Sequence, residues 1–166
     1  MARPRKRTTY GIIETWSPLG LAVITLGILL VLQNPIVDLF TRNDLSLPQL
    51  YTAIFGWASV MTGFQFGVYG LIFSKNDGFI SQILTTKAMD IFMSYTAKAV
   101  KLGFLLTILG VPFLISNTEM KNINNIMYWL GAAYFSLFIY SFAATVRVAR
   151  LFASMSRIKT RKSLPA

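Results

Sequence analysis

Apolar residues fall along this chain in four long runs, separated by short polar breaks. The hydrocarbon core of a bilayer is about 30 Å thick and needs roughly 20 apolar residues in a helix. The runs predict spans over residues 18–40, 50–73, 95–115 and 124–148. In the first, Ser17 reads as an N-cap and Pro18 as the first helical position, where its missing N–H costs nothing. Leu19 to Leu32 is apolar apart from Thr25, and Gln33, Asn34 and Pro35 then interrupt it, predicting a kink. The second begins after Pro48 and reads as a full crossing. The third is fully apolar only over Leu102 to Ile115. It reaches span length if Lys98 and Lys101 snorkel to the headgroups. Tyr128 and Trp129 anchor the start of the fourth at the membrane interface.

Two of the links are short, which predicts two antiparallel hairpins. Ser116 and Glu119 have capping-box spacing ahead of the fourth helix. The middle link, residues 76–94, opens on the turn signal Asn76-Asp77-Gly78. Phe79, Ile80, Ile83 and Leu84 then share one helical face, predicting an amphipathic helix on the inner leaflet that runs into the third span. The fold expected is therefore an all-α integral membrane bundle of four transmembrane helices, forming one domain over residues 1–166.

Charge orients it. The chain has 16 Lys and Arg against 6 Asp and Glu, and all the basic residues except Arg42 and Lys121 lie before the first span, between the second and third, or after the fourth. Basic residues are retained in the cytoplasm, so both termini are expected there. The same count supports four spans rather than three, because an odd number would export the basic C-terminal tail. The basic start followed by an apolar run imitates a secretory signal. With no A-x-A-like cleavage site after it, an uncleaved span is expected.

Composition narrows the chemistry. Hydrophobic residues make up 54% and charged residues 13%, too little charge to clothe a soluble domain. Cys and His are both absent, which removes thiol nucleophiles, imidazole bases, disulfides and the usual zinc, haem and iron–sulfur ligands. No nucleotide cradle or acid–base pair is present, so neither an enzyme nor a cofactor is expected. No Asp, Glu, Lys or Arg occupies the centre of a span, which disfavours a proton relay or an ion-coupled carrier.

Four features remain as candidate sites. Gly56, Gly63 and Gly70 recur every seven residues in span two, with Gly67 and Ser59 near the same face. Small residues let helix backbones approach closely in lipid. The stripe reads as a seam, either within one subunit or between copies in a homo-oligomer. Gln65 in span two, with Tyr134, Ser141 and Thr145 in span four, forms a polar set suited to interhelical hydrogen bonds or to a pore lining. Gln33, Asn34 and Pro35 mark the kink. Arg3, Arg5, Lys6 and Arg7 at one end, with Arg147, Arg150, Arg157, Lys159, Arg161 and Lys162 at the other, form basic surfaces. These suit anionic lipid headgroups first, an acidic cytoplasmic protein partner second, and nucleic acid least. A faint echo between Leu26-Gly27-Ile28-Leu29-Leu30 and Leu102-Gly103-Phe104-Leu105-Leu106 hints at a duplicated hairpin.

The function expected is a small scaffold or sensor subunit of a plasma or bacterial inner membrane. It would oligomerise through span two and present basic cytoplasmic surfaces. The alternatives are an oligomeric pore or membrane-permeabilising effector, of the kind used in phage lysis or anti-phage defence, and an assembly subunit of a larger membrane complex.

Overall fold

The computed structural model describes residues 9–42, 46–74, 87–115 and 125–161, and no strand occurs among them. The helices are α1 (Thr9–Val31), α2 (Gln33–Thr41), α3 (Leu47–Ser74), α4 (Lys87–Ile115) and α5 (Asn125–Arg161). Two of them are long and apolar enough to cross a membrane, α4 over Met89–Ile115 and α5 over Ile126–Ala153, with mean hydropathies of 1.8 and 1.4 over an 18-residue stretch of each. The bent pair Trp16–Val31 and Gln33–Phe40 makes a third if it counts as one span. At 28 residues α3 has the length, about 42 Å at 1.5 Å per residue. Its glycines, Gln65 and tyrosines dilute its apolarity, and no 18-residue stretch of its described residues is as apolar as those of α4 and α5.

Several boundaries differ from the sequence reading. Pro18 lies inside α1, which begins well before Ser17. The proline removes the N–H bond to the Glu14 carbonyl and crowds that carbonyl, and its ring is buried. The first span breaks at Leu32, immediately before Gln33-Asn34-Pro35, and α2 leaves α1 at 75°. Helix α4 runs without a break from Lys87, so residues 87–94 are the first turns of the third apolar helix rather than the end of a separate one. The preceding turn signal, the Phe79–Leu84 face and the Ser116–Glu119 pair lie outside the described residues. Helix α5 continues past the fourth apolar run to Arg161.

The helices pack in the order α3, α4, α5, α1, with a minor contact between α3 and α5. The hairpin expected from α4 and α5 has its two helices packed together. The one expected from the first two spans does not, because α1 lies along α5 and α3 along α4. The 75° turn carries the chain sideways before α3 begins.

Helix α4 is the clearest packing element. Met89, Phe92, Thr96, Ala99, Gly103, Leu106 and Gly110 are all buried, at alternating spacings of three and four, the signature of a coiled-coil-like seam. Two apolar clusters follow along the bundle. One joins Tyr51, Ile54, Ala58, Leu106 and Tyr134. The other joins Met89, Phe92, Ala99 and Val148. Outside, Val31, Val60, Phe64, Ile108 and Ile115 are mostly exposed. So many large apolar side chains left exposed suit a surface that lipid tails cover.

Six serine and threonine hydroxyls are satisfied locally. Thr25, Thr52, Thr96, Thr107, Ser136 and Thr145 each donate to the carbonyl four residues before, at 2.8–3.0 Å. In a medium that supplies no hydrogen bonds, this is the cheapest partner a helix offers.

Candidate functional site

The glycine stripe of α3 does not face the bundle. Gly56, Ser59, Gly63, Gly67 and Gly70 are exposed, and a Cβ built on any of the four glycines meets nothing within 4 Å. The face of α3 turned inward carries Tyr51, Ile54, Ala58, Thr62 and Gln65. Among the described residues the stripe packs against no other helix and is an open strip of backbone on the outer side of a flanking helix.

Close helix approach occurs elsewhere, at glycines the sequence reading did not single out. A Cβ on Gly103 would lie 1.9 Å from Thr62 Oγ1 and 3.1 Å from Thr62 Cβ. One on Gly110 would lie 2.6 Å from the Tyr134 hydroxyl, and one on Gly131 would lie 2.7 Å from the Tyr51 hydroxyl. Gly103 and Gly110 are also seven apart, so the heptad signal was present on α4 as well as α3. Gly27, the counterpart of Gly103 in the sequence echo, has open space around it, so the two do not share an environment.

The polar set is drawn inward. Gln65 is 5% exposed, and its Nε2 donates to Thr145 Oγ1 at 2.8 Å, tying α3 to α5. Thr145 passes its own proton to the Ser141 carbonyl at 3.0 Å. Tyr134 stacks on Phe113 at 4.9 Å between ring centroids and meets Tyr51 edge-on at 5.8 Å. Its hydroxyl is buried without a hydrogen-bond partner, seated on the Gly110 backbone. Trp57 packs on Phe138 and Phe142 at 5.2 and 5.4 Å, completing the α3–α5 contact.

The bend has a latch. Tyr128 on α5 donates its hydroxyl proton to the Leu29 carbonyl in the last turn of α1. Carbonyls at a helix end lack an internal donor, and here another helix supplies one. Asn34 and Pro35 are exposed, and Pro35 is the third residue of α2. Ile36, Val37 and Phe40 of α2 close one side of an apolar cavity of about 290 Å³, which is also walled by Tyr51, Phe113 and Phe135.

At the other end of the bundle, the Arg147 guanidinium lies over the Tyr95 ring, 3.6 Å from its centroid, linking α5 to α4. Arg150 is exposed one turn on. The backbones of Arg157, Lys159 and Arg161 continue the helix. Arg3, Arg5, Lys6, Arg7 and Lys162 lie outside the described residues.

Comparison with protein-family models, with curated proteins and with solved structures finds no match. The functional reading accordingly rests on this geometry.

Proposed function

We propose that the chain is a small non-enzymatic scaffold or sensor subunit that crosses a membrane four times, with both termini in the cytoplasm. Copies associate through the outer face of α3, and the basic ends engage anionic lipid or an acidic partner. The observation that carries this reading is the open stripe Gly56, Ser59, Gly63, Gly67 and Gly70. Lipid supplies no hydrophobic force between helices, and a bare backbone strip offers lipid poor packing while offering a second helix close contact. The length of α3 and its packing along α4 support counting it as the fourth span. The distribution of Lys and Arg supports the orientation.

A pore lined by Gln65, Tyr134, Ser141 and Thr145 has less support. These groups are wholly or largely buried between helices, and Gln65 is bonded to Thr145.

The test is Gly63→Leu, with molecular mass measured in mild detergent and in nanodiscs. The expected result is a parent oligomer and a monomeric variant of unchanged helix content, because nothing within the subunit lies near a Cβ at that position. A monomeric parent, or a variant that assembles as before, refutes the assembly reading. Topology is tested separately by single cysteines at Ser46 and Ser154 in a chain that has none of its own. A membrane-impermeant maleimide on intact cells is expected to label the first and spare the second. The reverse pattern refutes the orientation.

A further inference from the structure

The cleft between α1 and α5 at the arginine end is built differently from the apolar cavity at the bend. It encloses about 460 Å³. Pro18, Leu21, Phe142 and Val146 line it together with Ser17, Arg147 and Arg150, the two arginines one turn apart on α5. The flat face of the Arg147 guanidinium is held on Tyr95 of α4, which fixes the plane of its donors. Its Nε is buried with no hydrogen-bond partner, so the side chain has donor capacity that the protein does not use. Among the residues whose side chains are described, neither arginine is paired with a carboxylate.

We propose that this cleft binds one anionic phospholipid, with its phosphate on Arg147 and Arg150 and an acyl chain along the apolar lining. Guanidinium donors match phosphate oxygens in a bidentate fork. Two arginines that pair with no carboxylate among the described side chains select a negative headgroup, and the apolar lining beside them selects a molecule that carries a chain as well as a charge. One wall, α5, is apolar enough to cross a membrane, and the other, α1, is so when joined with α2, so on this reading the cleft opens sideways to lipid rather than to a soluble ligand. This rests on the reading of α1 and α5 as spans, and it replaces diffuse attraction to a charged leaflet with one defined site.

The experiment is native mass spectrometry of the delipidated full-length protein, re-exposed to equal amounts of phosphatidylglycerol and phosphatidylcholine. Adducts are read on the monomer mass, so lipid retention and self-association succeed or fail independently. The parent is expected to retain one phosphatidylglycerol in preference to phosphatidylcholine. Arg150→Gln, at an exposed position that leaves the fold intact, is expected to weaken retention at least about tenfold, the scale of one lost charge-assisted contact. Arg147→Gln with Arg150→Gln is expected to abolish it. Arg157→Gln with Lys159→Gln is expected to leave it unchanged, and millimolar inorganic phosphate is expected not to displace the lipid. Three results would each overturn the proposal: equal retention of the two lipids, equal loss in the Arg157/Lys159 variant, or displacement by free phosphate.

Discussion

Substituting Gly103 by Ala tests the packing of α3 on α4 most directly. The added methyl falls 1.9 Å from Thr62 Oγ1, 3.1 Å from its Cβ and 3.4 Å from its Cγ2. Rotating Thr62 about χ1 moves Oγ1 but leaves its Cβ 3.1 Å from the added methyl. The helices must separate, or Thr62 must strain. Overpacking of this kind costs about 1–3 kcal/mol. Against it stands the better helix propensity of Ala, worth up to about 1 kcal/mol. Gly63→Ala supplies the control for that gain, since position 63 is helical and has open space. The difference between the two variants isolates the clash. Stability is measured by denaturing-detergent titration at high micelle-to-protein ratio, where association is suppressed. The fluorescence of Trp57, packed against Phe138 and Phe142, follows the docking of α3. Gly103→Ala should lie about 1–3 kcal/mol below Gly63→Ala. Adding Thr62→Ala should restore most of the loss, because only the 3.1 Å contact with the Cβ remains, with a coupling of about 0.5–3 kcal/mol typical of touching residues. Equal stability of the two alanine variants, or losses that simply add in the double variant, would show that α3 does not rest on Gly103.

Other outcomes follow from the same contacts. Gln65→Leu and Thr145→Val should each cost about 0.6–1.7 kcal/mol, the range for hydrogen bonds between membrane helices. Because the two side chains share one bond, the double variant should cost little more than either alone; strictly additive losses would count against that bond. Tyr128→Phe removes the donor to the Leu29 carbonyl and should cost about 1 kcal/mol. Spin-label distances between positions 24 and 39 should also broaden as the 75° bend loosens, and an unchanged distribution would mean that Tyr128 does not hold it. Pro35→Ala restores a donor for the Val31 carbonyl and should lengthen the same distance as α1 and α2 straighten; a bend that persists unaltered would move its cause to the Tyr128 latch.

The helices were legible in the sequence because apolar run length is a property of the chain alone. The break near Gln33-Asn34-Pro35 was legible for the same reason, since proline acts on its own backbone. Pro18 misled because a proline after serine reads as a helix start, and only its burial against α5 explains its place inside α1. Glycine spacing revealed where helices can approach but not which side faces inward. Gly56, Gly63 and Gly70 share the spacing of Gly103 and Gly110, yet the first set is bare and the second is covered. What differs is the neighbour, Thr62 or Tyr134, supplied by another helix. The pairing of Arg147 with Tyr95 was invisible for the same reason: each residue was readable, but their meeting was not.

Helix α5 touches α1, α3 and α4 and then continues to Arg161. Its 37 residues extend about 55 Å, against about 30 Å for a hydrocarbon core. The surplus is a rigid spar with its root clamped among the other helices and its tip loaded with cations. Ala132 and Arg157 lie on one unbroken helix, so a tilt of its packed part swings the basic end with it.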